Sequence, residues 1–225
     1  QKHGDFLKGV EEAGKLLETK ANILPITDCD TQICAELENG KKIVGEWEII
    51  DRKPRTEIKN LYLQDKADAN PACLKALKSA DLIVIGPGSL RTGIISNLLV
   101  DGIPKAIQDS KAKKVYVCNV MTQPGNTDNF TTRKHVEEVE KYLGFKLDAV
   151  LMNNLVPSKN ILSHYKGQNA EFVQPEELED RECVIKNLLD SSELEGRAGG
   201  ASIKAGLHLV RHDPNKIASA LIDLL

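Results

Sequence analysis

The sequence predicts an α/β protein with a doubly wound, mostly parallel sheet and an antiparallel β-rich portion near the amino terminus. Apolar runs without polar alternation predict the parallel strands, because such strands are covered on both faces. These runs lie at residues 82–85, 114–120 and 148–154. A loop and then a helical pattern follow each run, which is the order typical of a parallel sheet with crossover helices.

The amino-terminal quarter has a different pattern. Residues 5–17 predict an amphipathic helix, and short extended runs between residues 22 and 63 predict strands. Asn39 and Gly40 lie between two of these runs and predict a hairpin whose second strand continues through Trp47. Residues 58–63 predict one more strand. We expect Trp47 to pack within this portion rather than to bind a ligand.

The rest of the chain predicts further helices and a last strand. Helical patterns lie at residues 72–78, 132–143 and 161–165. Residues 175–206 are charged and then rich in Gly, Ala and Ser, which predicts a mobile loop, with an anion-binding nest at Gly199 and Gly200 as the alternative. The segment LHLVRHDP predicts a final strand, followed by a helix that Asp213 caps and Pro214 begins.

The end of the first parallel strand carries the strongest signal for a ligand site. Gly86, Pro87, Gly88 and Ser89 follow the apolar run directly. The two glycines let the backbone approach a ligand, and the proline stiffens the turn. Ligands of open α/β sheets bind outside the carboxyl ends of the strands, so backbone amides and the Ser89 hydroxyl would face the ligand. A tight turn without a ligand is the alternative.

The spacing of this loop argues against three familiar motifs. A dinucleotide-binding fingerprint would have its third glycine where Arg91 stands, and a P-loop would have its lysine where Ile94 stands. A nucleophile elbow needs glycines two residues on either side of the serine, but Pro87 and Arg91 occupy those positions around Ser89. The loop is therefore a candidate for another class of ligand site.

Polar residues at the other strand ends predict that the site extends beyond this loop. Asn119 and Asn153 are the first polar residues at the ends of the second and third runs, and Arg211 follows the last predicted strand. Amides donate and accept at once, which suits a sugar or nucleobase, whereas Arg211 suits a phosphate. Tyr165 could stack on a base or bond a sugar hydroxyl. The alternatives are turn closure for the asparagines, a surface ion pair for Arg211 and packing for Tyr165.

Composition argues against several classes of function. The 225 residues carry a net charge of -3 and only 4% are aromatic, so the basic and stacking surfaces of nucleic-acid-binding proteins are missing. No apolar run approaches the roughly 20 residues that span a bilayer, and we expect a cytoplasmic protein without membrane insertion. Five scattered cysteines without CxxC spacing predict reduced thiols rather than a structural zinc site.

The sequence offers no recognisable catalytic set. No Ser, His and Asp fall in a triad order with supporting motifs, and no metal-binding signature is present. Asp128, in the loop after Asn119, is the best candidate for a metal ligand or a base. A solvated loop aspartate is the favoured interpretation of this residue.

Four segments resemble a known family, in the same order along the chain. They are IVIGPGSLRTGIISNLLVDGI, VYVCNVMTQPGNTDNFTTRKHV, DAVLMNN and VRHDPNKIA. On them the chain is identified as a member of the family that joins the YvcK-type gluconeogenesis factors to CofD, the 2-phospho-L-lactate transferase. The resemblance implies a Rossmann-like fold. The ligand contacts that it implies are Gly86, Pro87, Gly88, Ser89, Asn119, Asn153, Tyr165 and Arg211.

The resemblance also implies a nucleotide-linked small-molecule ligand and leaves two functions open. YvcK-type members bind UDP-sugars and regulate carbon use, cell shape and wall-precursor supply. CofD-type members move a 2-phospho-L-lactyl group from a guanosine diphosphate-linked donor to a deazaflavin acceptor and would need a divalent metal with acidic ligands. The amide-rich site and the GPGSL and TQPG segments favour the first function. A partner-binding scaffold and a homo-oligomer stay open.

Two segments of the family are missing from this sequence. Family members begin with a GGGTG-type strand and loop and contain an acidic DDGGSSG-like segment, and neither is present here. We therefore expect residues 1–225 to be one α/β domain that corresponds to the carboxyl-terminal two-thirds of a family member, with its β-rich portion at 22–63. On this expectation, half of the nucleotide site lies in residues that this chain lacks.

Overall fold

The structure, a computed structural model, describes residues 6–190 and 210–225. The elements are numbered in chain order over those residues. Helix α1 (Phe6–Leu16) confirms the predicted first helix, and none of its residues is buried. The other helices are α2 (Glu46–Ile50), α3 (Pro71–Ser79), α4 (Ser96–Leu98), α5 (Ile103–Asp109), α6 (Thr132–Leu143), α7 (Lys159–Gly167) and α8 (Pro214–Ile222). Among the described helices, none has the length and apolar character needed to cross a bilayer.

The amino-terminal quarter forms an antiparallel sheet with the strand order β2-β1-β3. Its strands are β1 (Ile33–Leu37), β2 (Lys42–Val44) and β3 (Ile58–Leu63). The predicted hairpin is confirmed, because the turn at Asn39 and Gly40 joins two strands that pair antiparallel. Gly40 has a φ of +80° in that turn, a conformation that favours glycine.

The second strand of the hairpin is shorter than predicted. β2 ends at Val44, Gly45 follows with a φ of +103°, and the chain then forms α2. The prediction of a strand through Trp47 was wrong because this left-handed glycine ends the extended run. Ile49 anchors α2 in the core, whereas Trp47 is 71% exposed, so the expected packing of Trp47 is not seen in the described part of the chain.

The second sheet is parallel, with the strand order β4-β5-β6-β7. Its first three strands, β4 (Leu82–Ile85), β5 (Lys113–Val117) and β6 (Ala149–Asn153), confirm the strands predicted from the apolar runs. One face of the sheet packs on the main core, which includes α5 and α6, while the other face packs on Ala220 of α8 and on Leu224 just after that helix. The doubly wound α/β architecture is thereby confirmed.

The fourth strand of this sheet was not predicted. β7 (Glu182–Lys186) pairs with β6 and places Asn153 opposite Lys186. The prediction of a mobile loop over 175–206 was wrong for this stretch, because β7 borders the sheet, is only partly buried and has no continuous apolar run. Residues 191–206, with the alternative nest at Gly199 and Gly200, lie outside the described residues.

The predicted final strand is described only from Val210 onward, since residues 207–209 lie outside the described residues. The segment 210–213 runs beside residues 188–190, with a bridge between Leu189 and His212. Asp213 then caps α8 by accepting hydrogen bonds from the first backbone amides of that helix, and Pro214 begins it, as predicted.

Candidate functional site

The Gly86–Ser89 loop leaves the carboxyl end of β4 in a conformation that needs its first glycine. Gly86 has a φ of +77°, and a Cβ atom there would lie 3.1 Å from both the Val117 carbonyl oxygen and Ile94 Cδ1. A Cβ atom at Gly88 would meet nothing closer than Ile94 Cγ1 at 3.7 Å. Gly86 therefore shapes the turn, and Gly88 keeps a stretch of backbone open to close approach.

Ser89 connects this loop to an unusual helical segment. Residues Leu90–Ile95 form a π-helical turn in which the amides of Gly93 and Ile94 donate to the Ser89 carbonyl oxygen at 2.8 and 2.9 Å. Such turns occur often at functional sites. The Ser89 hydroxyl shares a hydrogen bond of 2.7 Å with the Thr92 hydroxyl, so it is already held in place.

Asn119 lies against the same loop, as the sequence predicted from its position after a strand. Its Nδ2 donates to the Gly88 carbonyl oxygen at 2.9 Å. Its Oδ1 is buried and has no hydrogen-bond partner among the described residues. A buried acceptor of this kind needs a donor. Asn119 therefore offers an unused acceptor directly beside the glycine loop.

Asn126 is a residue of the site that the sequence analysis missed. It is 2% exposed and lies in the loop between β5 and α6. Its Nδ2 donates to the Ser89 hydroxyl at 2.5 Å and to Gln123 Oε1 at 3.1 Å, while its Oδ1 accepts from the Arg91 amide at 3.1 Å. In the sequence the only signal is a PGN turn inside the segment used for the family resemblance, and no spacing rule separates it from ordinary turns.

Asn153 makes the contacts of a residue that closes a turn, which is the alternative to a ligand contact. Its Oδ1 accepts from the amides of Leu155 and Leu188 at 3.2 and 3.1 Å, and its Nδ2 donates to the Leu155 carbonyl oxygen at 2.8 Å. The side chain is 4% exposed. Asn153 thus closes the turn after β6 and ties it to the chain that follows β7.

Tyr165 bonds to the residue that precedes Arg211 in the carboxyl-terminal half of the chain. Tyr165 lies on α7, and its hydroxyl accepts a hydrogen bond from the Val210 amide at 3.2 Å. Its ring is 7% exposed and packs in a small cluster with Val120 and Met121, the two residues after Asn119. Arg211 is exposed. Tyr165 therefore fixes the segment that carries Arg211 and packs on the chain that leaves Asn119.

His212 stands next to Arg211 and is partly buried. Its Nε2 has no hydrogen-bond partner among the described residues, and burial lowers the pKa of its imidazole. The ring is therefore favoured in its neutral form, so the positive charge that this segment presents comes from Arg211.

Asp128 is used inside its own loop. Its Oδ2 accepts from the Gly125 amide at 2.8 Å, and its Oδ1 lies 3.2 Å from Nη1 of Arg55. Across residues 6–190 and 210–225, no group of three His, Cys, Asp or Glu side chains could hold a metal ion. These residues do not fit the divalent metal that the transferase alternative needs.

A cavity of about 710 Å³ borders the glycine loop on the α3 and α5 side of β4. Most of its lining is apolar and comes from these helices, β4 and the chain at Leu24. Its polar part is formed by the loop backbone and Asn97. The cavity can therefore accommodate an apolar group next to the Gly86–Ser89 loop. The side-chain contacts of this loop with Asn119 and Asn126 are polar.

Comparison with known proteins shows the family to which this chain belongs. The family model described as 2-phospho-L-lactate transferase CofD matches residues 1–189. A putative gluconeogenesis factor from Aquifex aeolicus is 39% identical over 99% of this chain, and the gluconeogenesis factor of Bacillus subtilis is 34% identical over 99%. The chain spans 66% and 67% of the lengths of these two relatives.

A solved structure agrees with this assignment. The crystal structure of a UPF0052 family member from Bacillus halodurans superimposes with a TM-score of 0.85 at 31% identity. The match covers 97% of this chain and 67% of the other. The similarity in sequence and structure supports the Rossmann-like α/β architecture, and the chain belongs to the CofD family, alongside proteins called gluconeogenesis factors.

Proposed function

We propose that this protein is a cytoplasmic UDP-sugar-binding regulator of carbon metabolism, cell shape and wall-precursor supply. The observation that carries the proposal is the buried Oδ1 of Asn119, which lies beside the open backbone of Gly88 and receives no hydrogen bond from the described residues. A hydroxyl or an N–H group of a sugar or a uracil ring supplies the donor that this oxygen needs.

The other predicted residues complete the proposed site. The Gly86–Ser89 backbone lies along the ligand, and Arg211 supplies the positive charge for a diphosphate. Tyr165 holds the Arg211 segment through Val210. Asn153 supports the site from the end of β6. Because the relatives are longer than this chain, we assign part of the nucleotide site in the whole protein to residues outside residues 1–225.

A cytoplasmic location is part of the same proposal. All five cysteines are free, and burial raises the pKa of the Cys118 thiol to about 12. Free cysteines are typical of reducing compartments. A thiol with a raised pKa is a poor nucleophile, so Cys118 acts as a packing residue rather than a reactive one.

Calorimetric titration of the full-length protein with UDP-N-acetylglucosamine tests the proposal. We expect saturable binding, which the substitution Arg211→Glu strongly weakens because it puts a negative charge where the diphosphate lies. The absence of any heat of binding at ligand concentrations on the order of millimolar would overturn the proposal.

A transferase of the CofD type is the second candidate, and the match to the CofD family model favours it. The test is an assay of the full-length protein with a guanosine diphosphate-linked phospholactate donor, a deazaflavin alcohol and added magnesium. Product formation would establish the transferase. Binding of the UDP-sugar without product in this assay supports the regulator.

A scaffold that signals through partner contacts is distinguished by the same variant. For a scaffold, Arg211→Glu abolishes ligand binding and leaves the partner complex intact. For a ligand-controlled regulator, the variant changes both ligand binding and partner control. Pull-down of partners with the wild type and the variant, each with and without UDP-N-acetylglucosamine, separates the two cases.

A further inference from the structure

We propose that Arg52 and Asn126 are positioning residues that hold the Gly86–Ser89 loop in its ligand-binding geometry by tying it to α2, the helix between β2 and β3 of the antiparallel sheet. The consequence for ligand affinity rests on the proposed function. The consequence for the loop itself does not, because the contacts belong to the protein alone.

Arg52 forms the first link. It lies two residues after the end of α2 and is 8% exposed. Its Nε donates to the Thr56 carbonyl oxygen at 2.9 Å, and its Nη1 donates to the carbonyl oxygens of Ile49 at 2.6 Å and of Gly125. Two of these acceptors belong to the α2 region and one to the loop after β5. Arg52 thus joins the two parts through one rigid guanidinium group.

The backbone of Gly125 makes this junction tight. Gly125 has a φ of +80°, and a Cβ atom there would collide with the carbonyl group of Ile50 at the end of α2. No other residue fits this position without moving one of the two segments. The loop after β5 therefore rests directly on α2.

Asn126 forms the second link, one residue further along. Its amide group binds the Ser89 hydroxyl and the Arg91 amide, which lie on either side of Leu90 at the start of the π-helical turn. Neither contact involves the open backbone of Gly88. Asn126 therefore determines where the glycine loop lies without occupying the place of a ligand.

The side chain of Arg91 supports the same junction through contacts with Glu138 and Phe130. It is 7% exposed, its Nε lies 3.6 Å from Glu138 Oε1, and its guanidinium stacks over the Phe130 ring at 5.1 Å. Burial is the main cause of the lowered pKa of Arg52. The positive charge of the nearby Arg91 is the second cause. Two neighbouring buried guanidinium groups are costly, so we infer that their positional role outweighs that cost.

Hydrogen exchange of single amides in the ligand-free protein tests the positioning role. The amides of Gly93 and Ile94 are suitable reporters, because they bond to the Ser89 carbonyl oxygen and touch neither Arg52 nor Asn126. In Asn126→Ala we expect their exchange to accelerate about tenfold relative to the amides of β5. In Arg52→Lys we expect a smaller acceleration, since lysine cannot reach all three carbonyl groups.

The conservative substitution Asn126→Asp should restore slow exchange. A carboxylate accepts from the Arg91 amide, and the Ser89 hydroxyl can rotate to donate to it. Leu61→Ala is the matched control, because it removes a buried side chain from the antiparallel sheet and leaves both links intact. The proposal is wrong if the exchange of Gly93 and Ile94, relative to β5, is no faster in Asn126→Ala than in Leu61→Ala.

Titration with UDP-N-acetylglucosamine gives the second measurement on the full-length protein. We expect the Kd to rise about tenfold in Asn126→Ala, to rise by a smaller factor in Arg52→Lys, and to stay near the wild-type value in Leu61→Ala. Unchanged affinity in both linking variants would overturn the positioning role in binding. If the wild type itself does not bind, the proposed function fails while the exchange experiment still decides whether the two residues position the loop.

Discussion

The side-chain amide of Asn119 donates a hydrogen bond to the carbonyl oxygen of Gly88 at 2.9 Å. The two residues are 31 positions apart in the chain, and each follows a different strand of the parallel sheet. The bond joins the loop after β4 to the loop after β5. The oxygen of the same amide has no described partner and marks where a ligand donor would bind.

Replacing Asn119 by leucine should separate binding from folding. We expect Asn119→Leu to lower the free energy of unfolding by about 1 kcal/mol, because one hydrogen bond is lost, and to weaken UDP-N-acetylglucosamine binding at least about tenfold. Calorimetry and urea unfolding measure the two quantities. Asn160→Leu, at an exposed position of α7, is the matched control, and equal affinities for both variants would contradict the assignment.

The two glycines of the loop should respond differently to alanine. Gly86→Ala forces a side chain into a φ of +77° and against Val117, so we expect a loss of about 2 kcal/mol in unfolding free energy. Gly88→Ala has room and should change stability little. Its added methyl group should nevertheless reduce ligand affinity, and calorimetry would contradict a close ligand approach if affinity stayed unchanged.

Tyr165→Phe tests the link between α7 and the segment that carries Arg211. Loss of the hydroxyl leaves the Val210 amide without this acceptor, so we expect a decrease of about 1 kcal/mol in stability, or about 2–4 °C in Tm. Affinity should fall as well, because Arg211 is held less firmly. Tyr62→Phe, on β3 of the antiparallel sheet, is the control and should leave affinity unchanged. Equal effects of the two variants on binding would contradict this role.

His135 should make the protein less stable in mild acid. Burial lowers the pKa of His135 from 6.5 to about 4 in the folded state. Below about pH 6.5 the unfolded chain binds a proton that the folded protein does not, so this contribution to stability is complete above that pH and is lost as pH falls toward 4. Between about pH 7.5 and about pH 5, the loss should be about 2 kcal/mol.

Urea unfolding at the two pH values measures this effect. His135→Gln should show a shallower decline than the wild type, although the buried His212 contributes in the same direction. His164→Gln, on α7, is the control for the replacement of a histidine by glutamine. A slope in His135→Gln as steep as that of the wild type would exclude His135 as a source of the acid sensitivity.

The predictable part of the fold is the part whose burial is visible in the sequence. β4, β5 and β6 are apolar runs because both faces of their sheet are covered, and Asn39-Gly40 has the backbone freedom that a hairpin turn requires. β7 was not predicted because a strand at the border of a sheet is only partly buried and therefore needs no continuous apolar run. The strand predicted through Trp47 failed because a glycine at φ +103° redirects the chain, and sequence alone does not give that angle.

The candidate site was predictable only where residues follow strands directly. The Gly86–Ser89 loop and Asn119 meet because parallel strands end at the same edge of the sheet. Asn126 and Arg52 were missed because their roles arise from contacts between segments 37 and 73 residues apart. Asn153 shows the converse, since a polar residue at a strand end can be fully engaged by the backbone around it.

The outer edge of β3 is covered by side chains of α6 rather than by another strand. The Tyr142 hydroxyl accepts from the Leu61 amide at 2.8 Å, and Lys141 Nζ donates to the Lys59 carbonyl oxygen at 2.9 Å. A fragment limited to residues 22–63 would lose this cover and expose an unpaired strand edge, which promotes aggregation. We therefore expect the small sheet to be unsuitable for expression as a separate fragment, or for transfer to another protein, without α6.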